Sequence, residues 1–125
     1  MNITPNDLSA FNCTENYYKT IFNNVVYTDG MKYFFTNGGD NGAYWFLDYI
    51  LFEILPKCGD EEFISIEVNV EDNKASIKAH NGNYNYLYDQ NIPYTDLADG
   101  TWKFWIEIGE CGGKSVRVIL LPSEH

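Results

Sequence analysis

The stretch Asn41-Gly-Ala-Tyr-Trp-Phe-Leu-Asp-Tyr-Ile-Leu-Phe-Glu-Ile-Leu-Pro56 decides the fold, because nearly every side chain in it is apolar or aromatic and only Asp48 and Glu53 interrupt it. A bilayer span needs roughly 20 consecutive apolar residues. This run is shorter and carries two acids, so it reads as a helix hidden against a sheet. The turn-rich Asn37-Gly-Gly-Asp-Asn-Gly42 precedes it, with Asp40 or Asn41 placed to cap a helix beginning near Ala43, and Pro56 is expected to end it. Trp45, Phe46, Ile50, Leu51 and Ile54 fall on the rows that face the sheet. Tyr44, Asp48, Tyr49 and Glu53 fall on a more polar edge.

Downstream, the period changes from helical to two. Ile64, Ile66, Val68 and Val70 alternate with Phe63, Ser65, Glu67 and Asn69, the pattern of a half-buried strand. Glu71-Asp-Asn-Lys74 turns the chain, and Ala75, Ile77 and Ala79 point inward with Ser76, Lys78 and His80 outward. Asn81-Gly82 is a second hairpin turn. Tyr84, Tyr86 and Tyr88 then share one strand face up to Pro93. Trp102, Phe104, Ile106 and Ile108 mark another strand, and Gly109 to Gly113 turns into Ser115–Leu121. An antiparallel meander is the economical topology for these strands.

Upstream, Thr4, Pro5 and Asp7 form a helix start, predicting a short N-terminal helix to about Phe11. Asn12 to Asn24 reads as irregular, tied to the core by Tyr17, Tyr18, Ile21 and Phe22. Val25–Tyr27 and Lys32–Thr36 read as a hairpin around Asp29-Gly30. The fold class is therefore α+β: an antiparallel β-sheet of about six to seven strands packed on one main α-helix, with a short N-terminal helix. A chain of 125 residues is one domain.

Eighteen acidic residues against eight basic ones give a formal charge of -10. That excludes direct nucleic acid binding and disfavours anionic membranes, because phosphate contact relies on Lys and Arg. Asp60, Glu61, Glu62, Glu67, Glu71 and Asp72 lie between Lys57 and Lys74 without an intervening base. They form either a solvated face or a negative surface that steers toward a basic partner. Cys13, Cys58 and Cys111 are odd in number and widely spaced. No disulfide framework is expected, and with no secretory signature at the start a cytoplasmic setting is.

Three islands carry a resemblance: Asn12-Cys-Thr-Glu-Asn-Tyr-Tyr18; Tyr27-Thr-Asp-Gly30 through Gly42-Ala-Tyr-Trp-Phe-Leu-Asp48; and Ile92-Pro-Tyr-Thr-Asp96 with Leu120-Leu-Pro-Ser-Glu124. The chain resembles a family of small bacterial, plasmid and phage proteins that has been left as a domain of unknown function. Members typically have Gly where this chain has Cys13. The resemblance implies a setting on mobile elements and lends no reaction.

Glu15 and Asp29 are the carboxylate pair most worth attention, both on loops within the islands. As a hydrolytic pair, one would have to be protonated near neutral pH; otherwise Asp29 serves its turn and Glu15 accepts backbone amides. Asp48 sits inside an apolar helix, and its burial would call for a donor, a tyrosine or backbone amide of the N-terminal loop, or else for a ligand- or partner-facing role. His80 and His125 show no ligand spacing for a metal, and no cofactor motif is present. Asn37–Gly42 lacks the Lys-Ser/Thr ending of a phosphate loop.

Ten tyrosines, eight phenylalanines and three tryptophans exceed what one helix covers. Tyr84, Tyr86, Tyr88 and Trp105 are candidates for an exposed aromatic patch or a homodimer interface. Two functions follow. The first is a non-enzymatic acidic protein-binding module, whose concrete form is a mobile-element inhibitor of a host nucleic acid-binding defence complex, as anti-CRISPR proteins are. The alternative is a small-ligand or hydrolase pocket between the helix and the N-terminal loop, using Glu15, Tyr17, Asp29, Tyr44 and Asp48.

Overall fold

The computed structural model describes residues 3–58, 61–81, 86–111 and 113–125, with Tyr86 and Cys111 described in their backbone only. One seven-stranded sheet runs in the order β1-β2-β7-β6-β3-β4-β5. Its strands are β1 (Tyr17–Lys19), β2 (Val25–Thr28), β3 (Phe63–Glu71), β4 (Lys74–His80), β5 (Tyr86–Ile92), β6 (Gly100–Cys111) and β7 (Lys114–Leu120). The helices are α1 (Pro5–Leu8), α2 (Asp29–Asn37), α3 (Tyr44–Tyr49) and α4 (Leu55–Cys58). A π-helical stretch, Ile50–Ile54, joins the last two.

The period-two segments are strands because one face of each is covered. Ile64, Ile66, Val68 and Val70 are all buried on β3, as are Ala75, Ile77 and Ala79 on β4. Asp72 and Asn73 turn between them with φ of 52° and 64°, the left-handed pair that a tight hairpin demands. On β6, Trp102, Phe104 and Ile106 are fully buried. Phe34 of α2 packs its ring 4.8 Å from that of Phe104 and 5.3 Å from that of Trp102, and Phe46 of α3 lies 5.1 Å from Phe104. The helical layer and the sheet thus meet in an aromatic core.

Several expectations need correcting. Val25–Thr36 is not a hairpin: β2 runs straight into α2, with Thr28 as N-cap accepting from the Met31 N–H. Asp29 then sits in the first helical turn, where a negative charge is favoured. Because β2 does not fold back, it pairs in parallel with β7, so the sheet is not purely antiparallel and two helical segments cover it.

The last strands are not a simple meander either. β3, β4 and β5 are consecutive neighbours, but the link after β5 carries the chain back so that β6 pairs with the other side of β3. Thr95 and Leu97, buried in that link, hold the crossing, and the strand with the most buried rings takes the centre.

Pro56 does not end the helix, and neither Asp40 nor Asn41 caps it; Ala43 is the N-cap. In the π stretch the Leu55 N–H reaches the Ile50 carbonyl, five residues back. Pro56 follows in the first turn of α4, where a ring without an N–H is tolerated.

Finally, Tyr17, Ile21 and Phe22 do not tie the N-terminal segment to the core, since they are exposed. Tyr18 does so, packed against the core cluster.

Candidate functional site

Parts of all three sequence islands, Thr14–Tyr18, Thr28–Gly30 and Leu121–Glu124, meet at the N-terminus of α2. The Asp29 carboxylate accepts from the Glu15 N–H at 2.9 Å, the Asn16 N–H at 3.3 Å, the Asn16 side-chain amide and the Tyr18 hydroxyl at 2.9 Å. In return the Asp29 N–H donates to the Thr14 hydroxyl oxygen. These donors, the Glu15 N–H foremost, hold the Asp29 carboxyl below its ordinary range against an opposing push from partial burial. Tyr18 is raised in turn by the carboxylate it bonds, while the Lys32 ammonium lies 4.4 Å from the centre of its ring.

On the other side, buried Glu124 accepts from the Thr28 hydroxyl at 2.6 Å, the Gly30 N–H at 3.0 Å and the Leu121 N–H at 3.0 Å. Gly30 is required by this approach. A Cβ there would stand 2.6 Å from Leu121 Cδ1 and 2.7 Å from Glu124 Oε1. Thr14, Glu124 and Thr28 therefore take the N–H groups of Asp29, Gly30 and Met31, the free donors that begin α2, while the Asp29 carboxylate ties the N-terminal segment to them.

Ile92–Asp96 plays the same part at the other end of α2. The Asp96 carboxylate accepts from the Asp40 N–H at 2.9 Å, and the Thr95 N–H donates to the Asn73 carbonyl. Gly39 has φ +70, and a Cβ on it would overlap the Asp96 carboxylate, so the turn between α2 and α3 fits only glycine there.

Of the alternative pocket residues, the structure brings together the Glu15 backbone and the Asp29 side chain, with the Glu15 carboxyl exposed. Tyr17 is exposed, and the Tyr44 ring lies tilted 5.6 Å from that of Phe35, which also meets Tyr27. Asp48 is exposed on α3, on the polar edge, so the expected donor from the N-terminal loop is not needed to justify its charge.

The acidic stretch is continuous in sequence and divided in space. Glu62 precedes β3 while Glu71 ends it and Asp72 opens the following turn, which separates the two groups by roughly 30 Å at about 3.3 Å per residue. Glu67, between them, sits in register with Lys78 on β4 and Lys103 on β6. Glu61 is half-buried and its carbonyl accepts from Arg117, and Asp60 lies outside the described residues.

The aromatic patch is also redistributed. Tyr84 and the Tyr86 side chain lie outside the described residues. Tyr88 is not exposed: it is buried, its hydroxyl bonded to that of Tyr49. Trp105 is half-buried on the helix-free face, beside Phe63, His125 and a small cluster of Val26, Val116, Val118 and Leu120.

What the sequence reading missed is a cleft of about 450 Å³ on the helix side of the β5 edge, lined by Trp45, Tyr49, Ile92, Tyr94, Thr95 and Asp96. Its signal was present in the Ile92-Pro-Tyr-Thr-Asp96 island and in the spacing of four between Trp45 and Tyr49. Among the described residues, no three His, Cys, Asp or Glu side chains are grouped to hold a metal ion, and no helix is long and apolar enough to cross a membrane.

The fold and site define a one-sheet α+β protein whose motif residues act mainly as hydrogen-bonded anchors. The chain belongs to DUF6876, a family of unknown function whose model matches residues 2–125. No curated protein and no solved structure matches the chain.

Proposed function

We propose that the protein is a non-enzymatic acidic binding module for a basic protein surface. The observation that carries this reading is the use made of the island carboxylates. Asp29 and Glu124 are occupied by backbone N–H and hydroxyl donors, so they are anchors instead of a reacting pair. The rest of the negative charge lies largely on outward-facing side chains such as Glu15, Asp48, Glu53, Glu62 and Glu71. A net charge of -10 carried this way speeds encounter with a cationic partner and penalises like-charged ones.

The concrete form of the proposal is an inhibitor, carried on a mobile element and acting in the cytoplasm, of a host nucleic acid-binding defence complex, as anti-CRISPR proteins are. Its carboxylates occupy positions that phosphates otherwise fill in Lys- and Arg-rich channels. The tagged protein, used as bait in host extract, is expected to retain a nucleic acid-binding protein that added DNA or RNA displaces. Binding is expected to weaken with salt and in the Glu62→Lys, Glu71→Lys double variant. An affinity indifferent to both salt and charge reversal overturns the reading.

A further inference from the structure

The cleft at the β5 edge has a composition that selects one kind of side chain. Trp45 and Tyr49 stand one turn apart on α3, and Tyr94 closes the cleft from the link after β5, 69% exposed. Tyr49 is fixed by its hydroxyl contact with Tyr88, and Asp96 by the Asp40 N–H, so one ring and the carboxylate are already oriented. Ring faces carry negative potential and attract an alkylammonium or guanidinium group, the more so where water is excluded. Asp96 is the one charged residue of the lining, and exposed Asp40 and Asp48 flank Trp45 in sequence. Lys57 of α4 is engaged 5.2 Å from the centre of the Tyr88 ring.

A second observation comes from the sheet. β5 is the last strand in the order, so among the described residues no strand pairs with its outer side. Such an edge is a template for an extended segment of another chain, with alternate side chains directed to either face. Ile92 belongs both to this strand and to the cleft. A residue added beside it on the helix-facing side is therefore directed at Trp45 and Tyr94.

Building on the reading of the protein as a binder of basic surfaces, we infer that the β5 edge takes an extended basic segment of the partner, with one Lys or Arg side chain seated among Trp45, Tyr49, Tyr94 and Asp96. The main chain supplies affinity through strand pairing, and the cation supplies selectivity. A lining of aromatic rings with one carboxylate and no Lys or Arg favours this occupant over an acidic or neutral one.

The test is titration of the full chain with the peptide acetyl-Thr-Val-Lys-Val-Thr-amide and with its norleucine counterpart, which keeps the carbon chain and removes the charge. The lysine peptide is expected to bind roughly tenfold more tightly. Tyr94→Ala, at an exposed site, is expected to remove that preference without changing Tm, and amides of residues 86–92 are expected to gain protection from exchange in the complex. Equal affinity for the two peptides, no binding of either, indifference to Tyr94→Ala, or unchanged β5 amides each overturns the inference. A partner retained from extract in a salt-sensitive way but indifferent to Tyr94→Ala leaves the binding-module reading standing and removes this site from it.

Discussion

The Thr28 hydroxyl donates a 2.6 Å hydrogen bond to the Glu124 carboxylate, joining positions 96 residues apart. The same carboxylate receives the Gly30 and Leu121 N–H groups, so one buried acid fixes both the start of α2 and the turn that follows β7. Glu124→Ala leaves three donors without an acceptor, and is expected to cost about 2 to 4 kcal/mol. Glu124→Gln retains the oxygen shared by Thr28 and Leu121 but turns an NH2 toward Gly30, so it is expected to cost less, about 1 to 2 kcal/mol. Denaturant midpoints of the two variants check the order.

Asp29 makes stability depend on acid. Its folded carboxyl titrates below the ordinary aspartate value of 3.8, chiefly because the Glu15 N–H is bonded to the charged form. A lowered folded pKa means that the contribution is present above the unfolded value and is lost as pH falls through the folded one. Asp29→Asn is therefore expected to destabilise the protein at neutral pH and to flatten its stability profile below about pH 4. Tyr18→Phe, which removes one of the donors, is expected to move the profile part of the way. Unfolding curves taken from neutral pH downward distinguish these outcomes.

At the alkaline end the sign reverses. Burial, then the neighbouring Tyr44, raises Tyr27 from 10.0 to about 12, and burial with the Tyr88 hydroxyl raises Tyr49 further. A raised folded pKa gives a contribution that is complete below the ordinary tyrosine value and is lost as pH rises through the folded one. An absorbance titration of the tyrosines is expected to show a late phase, above the ordinary tyrosine value, that coincides with unfolding. Tyr49→Phe is expected to reduce the amplitude of that phase. Titration of every tyrosine in one step near 10 contradicts the assignment.

The sheet was legible wherever a strand has one covered face. Ile64 to Val70 and Ala75 to Ala79 alternate because the aromatic core lies on one side of them only. The region around α2 was not legible, and the reason lies in Asp29-Gly30. That pair suits a tight turn equally well as a helix start, and what decides between them is Glu124, Thr14 and Glu15, which are local only after folding. Asp48 misled for a related reason: its neighbours in sequence are apolar, yet it projects from the uncovered side of α3. The cleft escaped notice because Tyr94 and Trp45 belong to separate islands that the β5 link brings together.

The π stretch carries a signal that the pattern did contain. Phe46, Ile50, Ile54 and Cys58 are all buried and recur every four residues. Four residues of α-helix advance by about 400°, so three such steps drift by roughly 120° and would turn Cys58 away from the core. A single π turn absorbs one extra residue, about 100°, and restores the face. Deleting Phe52, which is 53% exposed and whose main ring contact is an edge-on approach to Phe22, removes that extra residue. The shortened helix is expected to keep Ile54, Leu55 and Cys58 inward while placing Pro56 in a continuous α-helical interior, at a cost of about 3 kcal/mol. Replacing Pro56 by Ala in the deletion variant is expected to recover most of that loss. Inserting an Ala after Phe52 instead rotates the same three residues off the core, and the protein is expected to lose its cooperative thermal transition. Calorimetry on the three variants decides the matter, and a deletion as damaging as the insertion refutes the account.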